Sequence, residues 1–197
     1  MPAAATFPAP PPVPDAALLE RSAGGDADAL DELFRRYRLV AYRVAYRLLG
    51  NEADALDAVQ DAFVKALANL DRFRGRSSFK TWLLRIASNA ALDMGRRRRR
   101  DGWNDRPSVP ATAESVGPDD RPPPDHDLER ADLRRLIDGA LAALPAPQRQ
   151  TFVLHVDGEM TYREVADTLG ISIGTVMSRL FYARQKLQKL LADRVRP

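Results

Sequence analysis

Proline placement constrains this chain more firmly than any other feature. Proline fixes φ and lacks a backbone donor, so it interrupts helices and strand ladders alike. Six of the fifteen prolines crowd into residues 1–14, at positions 2, 8, 10, 11, 12 and 14. A second group, Pro107, Pro110, Pro118 and Pro122 to Pro124, shares the stretch Asp101–Asp127 with Gly102 and Gly117. Apart from Trp103, Val109 and Val116, that stretch offers almost no large apolar side chain, too little to offset the entropy of ordering it. The sequence therefore predicts a low-complexity tail over 1–14, a flexible linker over 101–127, and ordered blocks over 15–100 and 128–197.

Both blocks carry helical periodicity, and the expected class is all-α: two small helical domains joined by a flexible linker. From Asp26 the residues Leu30, Leu33, Phe34, Tyr37, Val40, Val44 and Leu48 recur at helical spacing. Gly50 and Asn51 then stop one helix and cap the next, with Asp54 at the third helical position. In that second helix Leu56, Val59, Phe63, Leu67 and Leu70 are expected to face inward, while Asp54, Asp57 and Asp61 form another face beside Gln60. A loop over 71–76 leads to Ser77 or Ser78 as the next cap, and a third helix follows through Phe79, Trp82, Leu83, Ile86, Ala90 and Met94. It ends in Gly95 and five arginines, Arg96 to Arg100. The second block opens with Leu128, Leu133, Leu136, Ile137, Leu141 and Leu144, and Pro147 suits the start of a helix through Val156 that Asp157-Gly158 terminates.

Several function classes fall away on composition. Apolar residues at 45% suffice for packed cores, whereas aromatics at 7% suit helices better than sheets. No cysteine is present, and the two histidines, His126 and His155, lie in unrelated segments, so neither a metal nor another cofactor is expected. No apolar run approaches the roughly 20 residues of a membrane-spanning helix, so no membrane insertion is expected. The first residues lack a basic start before an apolar core, which argues against a secretory signal and for a cytoplasmic protein. Net charge is only +3, yet the bases are locally concentrated, a pattern compatible with a nucleic-acid partner.

The sharpest local pattern runs from Thr161 to Arg184. Thr161 and Glu164 have capping-box spacing, Val165, Ala166 and Leu169 give an apolar face, Gly170 suits a left-handed turn, and Ser172 can cap the next helix. Val176, Leu180, Ala183, Leu187 and Leu190 then form an inward seam. Two short helices about such a turn make a helix-turn-helix, whose second helix reads DNA with polar groups near its N-terminus. Thr175, Ser178 and Arg179 meet that demand, with Tyr182 and Lys186 continuing the outer side. The plain alternative is an αα-hairpin with a solvated face.

The segments Asp157-Gly158-Glu159-Met160-Thr161-Tyr162 and Gly174-Thr175-Val176-Met177-Ser178-Arg179 through Arg184 resemble region 4 of the extracytoplasmic-function (ECF) sigma factors. That resemblance implies a domain for the promoter −35 element, with Ser178 and Phe181 facing bases, Arg179 and Arg184 nearby, and Tyr162 against phosphate. Periodicity alone would leave Phe181 at the edge of the core. The family often carries Arg before the Asp-Gly turn, and His155 stands near that place here.

The first block resembles region 2 of the same family. The run Leu56-Asp57-Ala58-Val59-Gln60-Asp61-Ala62-Phe63 is similar to the segment that clamps the β′ coiled coil of core RNA polymerase. Its carboxylates can pair with basic groups on a partner, although an acidic stripe is by itself equally a solvated face. The run from Phe73 through Asp93 is similar to the family's −10 recognition and strand-opening segment. The resemblance implies that Asn89 holds a flipped base and that Arg76, Lys80, Trp82, Asp93, Arg96 and Arg97 line the −10 DNA. An Asn89–Asp93 helix-surface bond and a core position for Trp82 are the alternatives for those two. Five adjacent arginines favour phosphate contact.

The two resemblances occur in family order with room for no third domain, which marks the ECF type. They imply three partners, namely core RNA polymerase, promoter DNA and an anti-sigma factor, and no catalytic residue. A dimeric helix-turn-helix regulator would account for the second block but leave Asp57, Gln60 and Asp61 idle. An enzyme acting on DNA would need a nucleophile or a metal-binding carboxylate cluster, which the outward acidic stripe does not supply.

Overall fold

The computed structural model describes residues 13–100 and 124–195, with side chains in the second stretch described over 132–192. Most of the expected tail, over 1–12, and most of the expected linker, over 101–123, therefore lie outside the described residues. Eight helices follow in order: α1 Asp15–Ala23, α2 Ala27–Leu49, α3 Glu52–Ala68, α4 Phe79–Arg100, α5 Pro124–Ala142, α6 Ala146–Val156, α7 Tyr162–Leu169 and α8 Ile173–Val195, with a 3-10 turn at Leu70–Arg72. No strand occurs among the described residues, in keeping with the all-α expectation.

Among the described residues, those up to Arg36 form one compact unit and those from Tyr37 onward a second. The apolar pattern marks no helix before Asp26, so α1 is an addition to it. This helix is short and begins directly after Pro14, whose φ of −60° suits a helix entry. In the first unit Asp26 Oδ1 accepts from the backbone N–H of Asp28 and Ala29 at 3.0 and 3.2 Å, which opens α2. The Arg36 guanidinium gathers the Val13 carbonyl at 2.6 Å, Asp15 at 3.0 Å and Glu32 at 2.8 Å. Leu18, Ala29 and Leu33 are buried.

In the second unit α3 lies along α4. Here the structure corrects the inward face expected for α3. Leu56 is 54% exposed and Leu67 is 38% exposed, whereas Ala55, Ala58, Val59, Ala62, Phe63 and Ala66 are buried. The buried set still repeats at three and four residues, but alanines dominate it, because small side chains let two helices approach closely. Asn51 caps α3 as expected, its Oδ1 accepting from Asp54 N at 3.0 Å. Ser78, not Ser77, caps α4, accepting from Thr81 N at 3.1 Å.

The α4 helix ends in Gly95 and the arginine run, as expected, and continues through Arg100. Gly95 sits in ordinary contact distance of the Leu49 side chain, and a Cβ there would lie 3.6 Å from Leu49 Cδ2. Downstream, α6 starts at Ala146 with Pro147 in its first turn and ends at Asp157. Val153, Leu154, Val165, Val176, Leu180 and Ala183 are fully or almost fully buried between α6, α7 and α8. Ala140, Leu141 and Leu144 of α5 join Ala183 and Leu187 of α8 in a second cluster. Each such buried Leu or Val contributes roughly 1.5–3 kcal/mol relative to leaving it in water.

Candidate nucleic-acid interface

The helix-turn-helix begins with the capping box that the sequence predicts. Thr161 Oγ1 accepts from Glu164 N at 3.3 Å, and Glu164 Oε2 accepts from Thr161 N at 2.8 Å. The Thr161 amide above all, joined by the Thr161 hydroxyl, holds the Glu164 carboxyl below the usual range. Gly170 takes the left-handed conformation at φ 65°, and Ser172 Oγ accepts from Thr175 N at 3.1 Å to open α8. Both turn residues are therefore set by local chemistry.

Along α8 the seam and the outer face separate cleanly. Val176, Leu180 and Ala183 are fully buried, while Met177, Phe181 and Tyr182 are 55%, 61% and 55% exposed. Ser178 and Arg184 are exposed, and Thr175 and Arg179 are half-buried. Phe181 stands out in solvent rather than at a core edge, with its ring edge-on to Tyr182 at 5.4 Å. Tyr162, Met177, Phe181 and Arg184 line one shallow recess with Gln185 and Gln188. His155 Nδ1 lies 2.8 Å from the Met160 carbonyl oxygen and its ring meets Tyr162 at 4.9 Å, so it braces that tyrosine from behind.

On α4 the positions Trp82, Asn89, Asp93 and Arg96 fall on one stripe, spaced seven, four and three residues apart. Asn89, Asp93, Arg96 and Arg97 are exposed, as is Arg76 in the preceding loop. Trp82 is half-buried, its ring 5.1 Å from Phe73 and 5.9 Å from Phe79, so part of it belongs to an aromatic cluster and part to the surface. Asp93 accepts from Arg96 at 3.1 Å. Arg96, Arg97, Arg99 and Arg100 surround an open basic recess with Asp93, whereas Arg98 turns inward to pair with Asp54.

On α3 the outward stripe comprises Leu56, Gln60, Val64 and Leu67, flanked by Asp57 and Asp61, and all six are exposed. Phe63, expected inward by periodicity and placed in the docking run by the resemblance, is only 6% exposed and belongs to the core. Val64, at 59% exposed, takes its place on the outer stripe. The one-residue phase error falls instead at Leu56 and Leu67, where Ala55 and Ala66 take the inward places.

A further set of contacts joins helices of the two sequence blocks, and the sequence pattern did not reveal it. Arg47 pairs with Asp138 and approaches Asp157 at 3.5 Å, and the Tyr46 hydroxyl donates to Asp138 at 3.1 Å. Glu159 lies 3.3 Å from Lys80 Nζ and 3.4 Å from Arg43. Thr81 Oγ1 donates to Glu164 Oε1 at 2.8 Å. Burial pushes the Asp157 carboxyl above its usual range, against the opposing pull of Arg47. Lys80 draws the Glu159 carboxyl below its usual range. The four acids come from α5, the α6–α7 turn and α7, so no local motif could announce them. Among the described residues no group of His, Cys, Asp or Glu side chains could hold a metal ion, and no helix is long and apolar enough to cross a membrane.

The chain's likenesses follow the same division. Residues 33–101 match the Sigma-70 region 2 family and residues 134–187 match Sigma-70, region 4. The ECF RNA polymerase sigma factor SigW of Bacillus subtilis is 33% identical over 179 residues, which span 86% of this chain and 92% of that relative. The ECF RNA polymerase sigma-E factor of Escherichia coli is 32% identical over 185 residues, spanning 92% and 96% respectively. Among solved structures, CnrH in complex with the cytosolic domain of CnrY superposes with a TM-score of 0.68 at 29% identity, over 91% of this chain and 97% of that one. The sigma factor RpoE of Bartonella quintana, in complex with the anti-sigma factor NepR, gives 0.59 at 30% identity over 82% and 97%.

Proposed function

Because the chain belongs to the ECF family of RNA polymerase sigma factors, with regions 2 and 4 in order, we propose that it binds core RNA polymerase and directs it to promoters through −10 and −35 elements. The carrying observation is the separation on α8 of a buried seam from an exposed face bearing Ser178, Phe181 and Arg184, in a chain whose α4 carries a second exposed polar and basic stripe. Two reading faces on one chain suit two spaced boxes.

Region 4 supplies the −35 contacts. Ser178, Thr175 and Arg179 offer hydrogen bonds near the start of α8, Arg184 and Tyr162 reach phosphate, and Phe181 offers an apolar surface of the kind that meets a thymine methyl. Region 2 supplies the −10 contacts. Asn89 and the outer part of Trp82 receive an unstacked base, where stacking contributes about 1–3 kcal/mol per base. Arg76, Lys80, Arg96 and Arg97 neutralise phosphate, and Asp93 orients Arg96. The α3 stripe of Leu56, Asp57, Gln60 and Asp61, extended by Val64 and Leu67, docks on the β′ coiled coil, apolar centre first and acids at the rim.

The chain makes and breaks no covalent bond in this role and needs no cofactor. Its place of work is the cytoplasm, beside polymerase and chromosome. Two structural relatives are held by the partners CnrY and NepR, and an anti-sigma factor that covers the same faces is the corresponding partner here.

Run-off transcription by core polymerase on a pool of genomic fragments tests the proposal. Defined transcripts that require the added chain, and that fall with Asn89→Ala and Ser178→Ala, support it. Identical output from core polymerase alone refutes it.

A further inference from the structure

Resting on the −35 role proposed for α8, we propose that Met177 is an oxidation site. Conversion of its thioether to the sulfoxide by a hypohalous acid weakens promoter binding through region 4 and leaves the fold intact. The chain contains no cysteine, so no thiolate competes for the oxidant and the methionines are its soft nucleophiles. Of the four, Met1 lies outside the described residues, Met160 is buried and Met94 is half-buried on α4. Met177 is more than half exposed and stands one turn before Phe181 on the outer face of α8.

The surroundings of Met177 make the change consequential. It lines one recess with Tyr162, Phe181, Arg184, Gln185 and Gln188, an apolar floor of thioether and aromatic ring rimmed by donors. In the reduced state that floor suits a thymine methyl, and Arg184 is available to phosphate. Oxidation takes two electrons from the sulfur and forms one S–O bond, while the chlorine of hypochlorous acid leaves as chloride and a proton is released. The product is polar, and its oxygen accepts hydrogen bonds. Arg184 and Gln185 stand two turns further along the same face, so their N–H groups can turn to that oxygen, and the arginine bond is charge-assisted and competes with phosphate. The core behind is untouched, because Val176, Leu180 and Ala183 are fully buried. Methionine sulfoxide reductase reverses the step, so the site can register an oxidant and recover.

For the test, the full chain alone is treated with limiting hypochlorous acid, quenched with free methionine and assembled with untreated core polymerase. Peptide mass mapping should find the added oxygen on Met177 ahead of Met94 and Met160. Run-off output should fall on the order of 10-fold, the size expected for losing one apolar contact of this kind. Holoenzyme affinity for a −35 duplex should fall by the same factor, while affinity for a single-stranded −10 segment stays within about 2-fold, because the two sites are independent. The melting temperature of the treated chain should not move. Met177→Leu should keep its own untreated output after treatment, whereas Met94→Leu should lose output as the parent does. Sulfoxide reductase should restore the treated parent, and Met177→Gln, a permanent polar substitute, should show reduced output with no oxidant.

Oxygen found first on Met94 or Met160 overturns the proposal, as does an equal loss in treated Met177→Leu, an equal loss for the −10 segment, or a lowered melting temperature. The untreated chain judges the promoter role separately. Chain-dependent transcripts that persist at full level after Met177 is oxidised refute the oxidation site alone. No transcripts from the untreated chain refute the promoter role, and the oxidation site falls with it.

Discussion

The hydroxyl of Thr81 donates to Oε1 of Glu164 across 2.8 Å, joining residues 83 positions apart, while Oε2 of the same carboxylate accepts from the Thr161 amide. One side chain thus closes the N-terminus of α7 and receives a donor from α4. Its bonds, led by the Thr161 amide, hold its folded-state pKa below the ordinary range.

Stability linked to Glu164 is consequently complete above its unfolded-state value near pH 4.3 and is lost as pH falls through the lower folded value. Asp157 has the opposite sign. Burial raises its folded-state pKa, so its penalty is full above that raised value and is relieved as pH falls through it. Urea titrations of Glu164→Ala should show a loss of about 0.5–2 kcal/mol at pH 7 that shrinks below about pH 4. Asp157→Asn should be neutral or stabilising at pH 7, and any gain should disappear in acid.

Gly158→Ala should be costly although the glycine has an ordinary backbone conformation. The added Cβ would stand 2.5 Å from the Leu154 carbonyl oxygen, a backbone atom that cannot swing aside. A loss of about 1–3 kcal/mol in equilibrium denaturation is expected for such overpacking.

Leu180 and Phe181 are neighbours with opposite roles. Leu180→Ala removes a fully buried side chain and should cost about 2–5 kcal/mol of stability. Phe181→Ala, on a side chain 61% exposed, should leave the melting curve within about 0.5 kcal/mol of the parent and lower transcription from promoters with a −35 element.

The same contrast holds on α3. Leu56→Glu should abolish co-purification with core polymerase while leaving the fold intact, since Leu56 is 54% exposed. Phe63→Ala should instead destabilise by about 3–5 kcal/mol, measured by urea denaturation without any partner.

Within the arginine run, Arg96→Ala/Arg97→Ala should reduce the slope of log affinity against log salt by up to about 1.4 for single-stranded DNA. Arg98→Ala should change that slope less and lower stability more, because Arg98 faces Asp54.

Local chemistry in the sequence was sufficient for the caps and turns. Asn51, Ser172, Thr161 with Glu164, and Gly170 all act where their residue types predict, because each acts on backbone within a few positions. The α3 face was legible only in period and not in phase. Leu56 and Leu67 outrank alanine in hydrophobicity, but close packing against α4 selects Ala55, Ala58, Ala62 and Ala66. Phe63 lies in the core, as its period reads, although the resemblance also places it in the docking run. The contacts of Arg47 with Asp138 and of Lys80 with Glu159 bridge 91 and 79 positions, and nothing in one-dimensional spacing encodes them.

Glu159 holds φ at 51°, a left-handed backbone that glycine adopts freely and a side-chain-bearing residue adopts at a cost of roughly 1–2 kcal/mol. Either glutamate codon becomes a glycine codon by a single base change. Such a mutant would relax the turn and at the same time discard the carboxylate that reaches Lys80 and Arg43. At this codon the relief of backbone strain is offset by the loss of two exposed ion pairs, so a Glu159→Gly chain should fold about as stably as the parent while its α6–α7 turn no longer reaches α2 and α4.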